Sequence, residues 1–148
     1  MKQAIYVSIN KRSVEKIILQ IKNHEFRNYI PKEKFNYMYV YTTSPMSRIQ
    51  YIMNISEIVE YPNLINFEGD SNHEFNNGQK AKYAYKIKSV YELKNPILLN
   101  ELKEKYGFNP PQAFAYGDRY LELSSYIDSQ EKRLVLENID EHKIRHKR

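Results

Sequence analysis

Val14-Glu15-Lys16-Ile17-Ile18-Leu19-Gln20-Ile21-Lys22-Asn23-His24-Glu25-Phe26-Arg27 is where the chain changes its period. Val14, Ile17, Ile18 and Ile21 stand at i, i+3, i+4 and i+7, the spacing of one apolar helical stripe, with Asn10 or Ser13 before them as a cap. Asn23 ends that helix, and Glu25 to Tyr29 reads as a short strand before Pro31, which cannot donate to a ladder. On that strand Glu25 and Arg27 share one face while His24 and Phe26 share the other. A helix end therefore delivers a lysine, and the next strand delivers a carboxylate and a guanidinium.

Working outward, Gln3 to Ile9 reads as a buried first strand and Phe35 to Thr42 as a third, closed by a turn at Thr43-Ser44-Pro45. Arg48 to Tyr61 is a long β segment ended by Pro62. Asn63 to Gly78 is polar and irregular, predicting an exposed loop with one short helix. Ala81 to Val90 is another strand, and Pro96-Ile97 opens a shorter segment leading into a helix from Leu98 to Tyr106, with Gly107 as its cap. Asp118 to Tyr126 predicts a last helix, Ser129 to Glu137 either a helix or a strand, and fraying is expected from Asp140 on. A strand, a helix, several strands and then short helices spell an α+β fold: a curled mixed sheet or barrel with helices at its edges.

The chain has 148 residues, a size that suits one domain. Without cysteine it has no disulfides, thiolate zinc sites or cysteine nucleophiles. The strand-like start Met1-Lys2-Gln3-Ala4-Ile5-Tyr6-Val7 lacks an apolar leader, and no run approaches membrane-spanning length, so a soluble, cytoplasmic protein is expected, with no membrane partner. The net charge of +5 points to an anionic partner, although Lys143, Arg145, Lys147 and Arg148 at the C-terminal end carry much of it.

The Lys22-x-x-Glu25-x-Arg27 pattern resembles the ASCH domain, a PUA-like β-barrel. Ser8-Ile9, Tyr39 to Pro45 and Gly107-Phe108-Asn109-Pro110-Pro111-Gln112-Ala113-Phe114 support the likeness, in the family's order, from about Ala4 to Tyr116. The resemblance implies a PUA-like domain over residues 1–128, with 129–148 as a C-terminal extension and basic tail. It also implies a charged cleft beside the first helix that accepts RNA or a nucleotide, without metal or organic cofactor. Around Lys22, Glu25 and Arg27 it would gather Ser8, Lys11, Thr43, Ser44, Gln112 and Tyr116. Lys22 and Arg27 suit phosphate, and Glu25 suits a base amino group or the two cations. The plain alternative is an ordinary ion pair at a strand edge.

Some relatives hydrolyse acetylated cytidine with a lysine, a threonine and a glutamate, and others are linked to RNA cleavage. Here Asn23 and His24 follow Lys22, so the nucleophile is missing from its place; Lys22, Glu25 and Thr43 are the candidates for a hydrolase or ribonuclease site. A third reading is a protein-interaction or regulatory domain with no identified partner. His24 reads as a packed histidine against an acid–base alternative, and His73, near Glu74 and Asp70, as a loop residue against a metal ligand. His142 and His146 read as part of a solvated tail. Tyr37, Tyr39 and Tyr41 read as a buried ladder against a stacking platform, and Pro110 to Phe114 as a rigid turn laying Phe108 and Phe114 on the barrel. Lys80, Lys82, Lys86 and Lys88 form a basic stripe by parity, or a solvated face.

Overall fold

The fold follows from a computed structural model that describes residues 3–138; the tail cations, His142, His146 and the fraying expected from Asp140 lie outside the described residues. Seven strands are named in chain order: β1 (Ala4–Ile9), β2 (His24–Arg27), β3 (Tyr37–Thr42), β4 (Arg48–Glu60), β5 (Tyr83–Leu98), β6 (Ala115–Tyr116) and β7 (Lys132–Glu137). The helices are α1 (Lys11–Ile18), α2 (Asn72–Asn76), α3 (Leu99–Tyr106) and α4 (Leu121–Ser129), the last entered through a 3₁₀ turn at Gly117–Tyr120. One sheet runs β2-β5-β4-β3-β1-β6, with β7 also on β5. β1 and β3 are parallel and the other pairs antiparallel, so the sheet is mixed. Register shifts along β4 curl it into a half-barrel with short helices at its edges.

β1 is buried on both faces, which is why it reads as one apolar run. Ile5, Val7 and Ile9 face α1 and pack with Val14, Ile17, Met38, Val40, Tyr85 and Ile87. Ala4 and Tyr6 face the other way, toward Tyr39, Tyr41, Phe108, Leu123 and Ile127. The strand tyrosines are thus a buried ladder. Tyr6 packs its ring 5.0 Å from Tyr39 and 5.2 Å from Phe108. Its hydroxyl meets Ser124 Oγ at 2.8 Å, and the Tyr39 hydroxyl donates to Asp128 at 2.7 Å.

Several sequence expectations need correction. α1 closes at Ile18, capped by Asn10, and Gln20 turns left-handed (φ 65°) in a Schellman turn in which the Ile21 N–H reaches Lys16 O. Ile21 therefore swings out of the stripe and is 51% exposed. The loop from 63 to 78 is not simply exposed. Its Ile65 and Phe75 form a third apolar cluster with Ala84, against Phe26 and Phe67. Two apolar anchors in a polar stretch leave no periodic signal. Gly69 is pressed so closely that a Cβ there would stand 2.6 Å from Asn23 Oδ1 and from Asn72 Nδ2.

β5 is a single strand through Pro96. Its pairing with β4 jumps from Glu92 to Ile97 between Tyr51 and Ile49, and that gap in the ladder accommodates a residue without an N–H. Of the four lysines read as one stripe, only Lys86 and Lys88 lie within β5. Ser129 to Glu137 resolves into the end of α4 and strand β7, which pairs with β5 and buries Leu136. Gly107, at φ 62°, caps α3 as its position predicts. No helix among the described residues is long and apolar enough to cross a membrane.

Candidate functional site

The ladder on β1 is incomplete on one side. β3 accompanies all of it, but β6 pairs only with Ile5 and Tyr6. β2, at the far end of the sheet path, pairs only with β5. Where the half-barrel fails to close, side chains bridge the seam. Arg27 Nη2 donates to Ser8 O at 3.0 Å, and the Tyr29 hydroxyl donates to Ala113 O at 2.6 Å. Ser8 Oγ donates to Pro111 O at 2.8 Å, while Phe114 stacks on Tyr29 at 5.3 Å. The Pro110 to Phe114 turn is a strap across this seam, and Phe108 and Phe114 do pack into the barrel as expected.

The three motif residues meet under the strap. Lys22 Nζ lies 3.1 Å from Glu25 Oε1; Arg27 Nη2 and Nε approach Glu25 Oε2 at 2.8 and 3.1 Å. The three side chains are 11%, 9% and 13% exposed. Burial would push the Arg27 guanidinium toward losing its proton, but Glu25 beside it outweighs that and raises its pKa above the usual value. Burial also raises the Tyr29 hydroxyl, which accepts from Arg27 Nη1 at 3.3 Å and so stays neutral near pH 7. Two cations thus share one carboxylate in a nearly enclosed place, leaving a surplus positive charge.

Period 2 places the surrounding residues as expected. His24 and Phe26 turn to the opposite face, where the His24 ring stacks on Phe67 and Phe26 at 6.0 and 6.3 Å. His24 Nδ1 donates to Asn23 Oδ1 at 2.7 Å, a tautomer assigned because that oxygen also accepts from Asn72 Nδ2. Burial, and then Lys86, lower the His24 pKa to about 3. The unfolded chain, titrating near 6.5, therefore binds more protons between those values, and stability falls as the pH drops below about 6.5. The slope is about 1.4 kcal/mol per unit, or about 2 kcal/mol from pH 6.5 to 5. Urea unfolding at pH 7, 6 and 5 is expected to show this slope in the wild type and a flatter one in His24→Phe; parallel slopes would refute it.

The wider set drawn from the resemblance is only partly assembled. Ser8 reaches the triad through its carbonyl. Among the described residues no hydrogen bond or ion pair joins Thr43, Ser44, Lys11, Gln112 or Tyr116 to Lys22, Glu25 or Arg27. Lys11 is exposed, 3.9 Å from Glu15, and Ser44 and Gln112 are exposed. Tyr116 accepts from the Glu33 N–H at 3.1 Å and lines a separate hollow with Lys34, Asp118 and Asp128. No group of three metal-ligating side chains occurs among the described residues, and His73 instead pairs with Asn77 at 3.1 Å.

Sequence reading missed Ser13, whose Oγ accepts from Lys22 Nζ at 3.4 Å. Nothing in the spacing announces it, because only the left-handed turn at Gln20 folds Lys22 back along α1. Tyr29 shares the parity of Glu25 and Arg27 on the strand read from Glu25 to Tyr29, a signal that could have drawn it into the set although β2 ends at Arg27.

With this geometry in place, solved structures supply a likeness. An ASCH protein from Zymomonas mobilis aligns over 86% of this chain and 96% of its own, at 21% identity and TM-score 0.63. A serine-to-alanine variant of it aligns over 88% and 98%, at 20% identity and TM-score 0.64. Its tyrosine-to-phenylalanine variant aligns over 88% and 100%, at 20% identity and TM-score 0.63. The fold is therefore ASCH-like. No family model matches the sequence, and no curated protein matches it.

Proposed function

We propose, from an ASCH-like fold as the premise, that this chain binds RNA or a nucleotide through the seam at Lys22, Glu25 and Arg27. The observation that carries the reading is the surplus charge. Buried ions cost several kcal/mol each unless paired, and two cations on one carboxylate leave one charge to be met. A phosphate meets it, taking hydrogen bonds from Lys22 and from the Nη1 hydrogen of Arg27 that the Glu25, Ser8 and Tyr29 contacts leave over, while Glu25 holds both donors in place.

Lys22 is the cation to remove first, because Arg27 then still pairs with Glu25 and the fold keeps its clasp. In fluorescence anisotropy with single-stranded RNA, Lys22→Met is expected to weaken binding about fivefold near physiological salt. It is also expected to lower the slope of log K against log salt by about 0.7, the loss of one phosphate contact. Unchanged affinity and slope in a folded variant would remove the cleft from the binding site.

One observation favours a second reading. Ser13 Oγ beside Lys22 and Glu25 is the hydroxyl that a small hydrolase acting on a modified nucleoside needs, in place of Thr43. Attack by Ser13 on an acyl carbon would need Lys22 as a neutral amine to take the hydroxyl proton. In the ion-paired arrangement Lys22 donates to Ser13 instead, which suits binding. Turnover of an acetylated nucleoside, lost in Ser13→Ala with binding retained, would shift the reading to catalysis.

A further inference from the structure

We infer that single-stranded RNA, the ligand class on which the reading above rests, continues past the cleft over the edge of β2 that no described strand pairs, into a hollow on its other face. The connection is physical. Phe26 points away from Glu25 and Arg27, and its half-buried ring has Lys22 Nζ 5.8 Å from its centroid and Lys80 Nζ also at 5.8 Å. One cation belongs to the cleft and the other to the hollow. The edge between them carries no neighbouring strand among the described residues.

The hollow, about 550 Å³ and open, is lined by Asn28, Tyr61, Gly78, Gln79, Lys80 and Lys82. These are the groups a nucleotide uses: two ammonium groups for phosphate, two amides for base edges and one aromatic face. Tyr61 is 40% exposed yet held in place. Its ring stands edge-on to Phe75 at 6.3 Å. Gly78, at φ 75°, lies so close that a Cβ there would come 2.8 Å from the tyrosine oxygen. An exposed ring held at its hydroxyl end by Gly78 and against Phe75 is a stacking surface whose ordering cost is already met by the fold. The nearest opposing charge is Glu60, 4.0 Å from Lys82, in an exposed pair that a phosphate displaces at little cost.

The test measures anisotropy of labelled RNA of two, four and eight nucleotides, and of a mononucleotide, against wild type, Lys80→Ala/Lys82→Ala and Tyr61→Leu, with inorganic polyphosphate as competitor. Both lysines are exposed, so the double variant keeps its fold. The double variant is expected to bind the eight-nucleotide RNA about tenfold more weakly, with a salt slope lower by about 1.4, and the mononucleotide unchanged. Tyr61→Leu is expected to lower affinity for RNA but not for polyphosphate. Equal binding of the long RNA by wild type and double variant overturns the track while leaving the cleft standing, since Lys22→Met reads the cleft separately. Polyphosphate competing as well as RNA, with Tyr61→Leu without effect, makes the hollow a general polyanion surface and also overturns it. Wild type binding no RNA of any length ends both readings together.

Discussion

Replacing Glu25 by glutamine is expected to cost about 3–5 kcal/mol of stability, the range for breaking a buried ion pair from one side. The glutamine fits the space but leaves Lys22 and Arg27, both close to 90% shielded, facing each other without a counter-charge. For a domain of this size that corresponds to a fall in melting temperature of about 10 °C or more. Two further readouts separate this cause from a packing fault. Adding Lys22→Met to Glu25→Gln removes one stranded cation and is expected to restore part of the loss, whereas two independent packing faults would add. Phosphate or RNA, binding only the folded state, is expected to raise the melting temperature of Glu25→Gln more than that of the wild type. A Glu25→Gln variant as stable as wild type would mean that the triad is hydrated enough to be an ordinary surface pair.

Phe75→Ala is expected to cost a similar 3–5 kcal/mol, the range for a phenylalanine truncated in a core. That is a large effect for a residue in a polar stretch read from sequence as an exposed loop, where substitutions cost under about 0.5 kcal/mol. The difference arises because Phe75 is fully buried, 5.8 Å from the Phe26 ring, and is the main anchor of the cluster behind β2. The rest of the loop is tied by amides: Asn76 exchanges two hydrogen bonds of 2.8 Å with the Ile65 backbone, and Asn23 Nδ2 donates to Glu68 O at 2.9 Å. Equilibrium urea unfolding of wild type and Phe75→Ala measures this directly. A cost near zero would mean that the loop opens without disturbing β2.

What could be read from the sequence follows from where periodicity operates. The switch from helical to strand spacing around Lys22 placed Glu25 and Arg27 on one face and His24 and Phe26 on the other, because both periods are fixed by backbone geometry. The α+β curled sheet followed from the order of such segments. Ile21 was misread because the left-handed turn at Gln20 interrupts the helical period in a residue type that does not advertise it. The division of β5 at Pro96 failed because the break in the β4 register, which makes room for the proline, depends on pairing across the sheet. Ser13, Tyr29 and the carbonyls of Ser8 and Ala113 come together only through tertiary closure, and the loop around Phe75 conceals its anchors among asparagines. Thr43, Gln112 and Tyr116 were drawn in by resemblance rather than by a rule of spacing, and no hydrogen bond or ion pair among the described residues ties them to the triad.

The seam also changes how the history of such a chain should be read. Arg27 holds β2 to the Ser8 carbonyl of β1 while standing in the proposed binding cleft. A descendant that had lost its ligand would still be under selection to keep Arg27 and its partner Glu25, because losing either would loosen the clasp. Persistence of this pair across a lineage would therefore record the upkeep of the barrel and say little about retained binding. Lys80 and Tyr61, which clasp no strands together, are the positions whose drift or constancy would register whether a ligand was still in use.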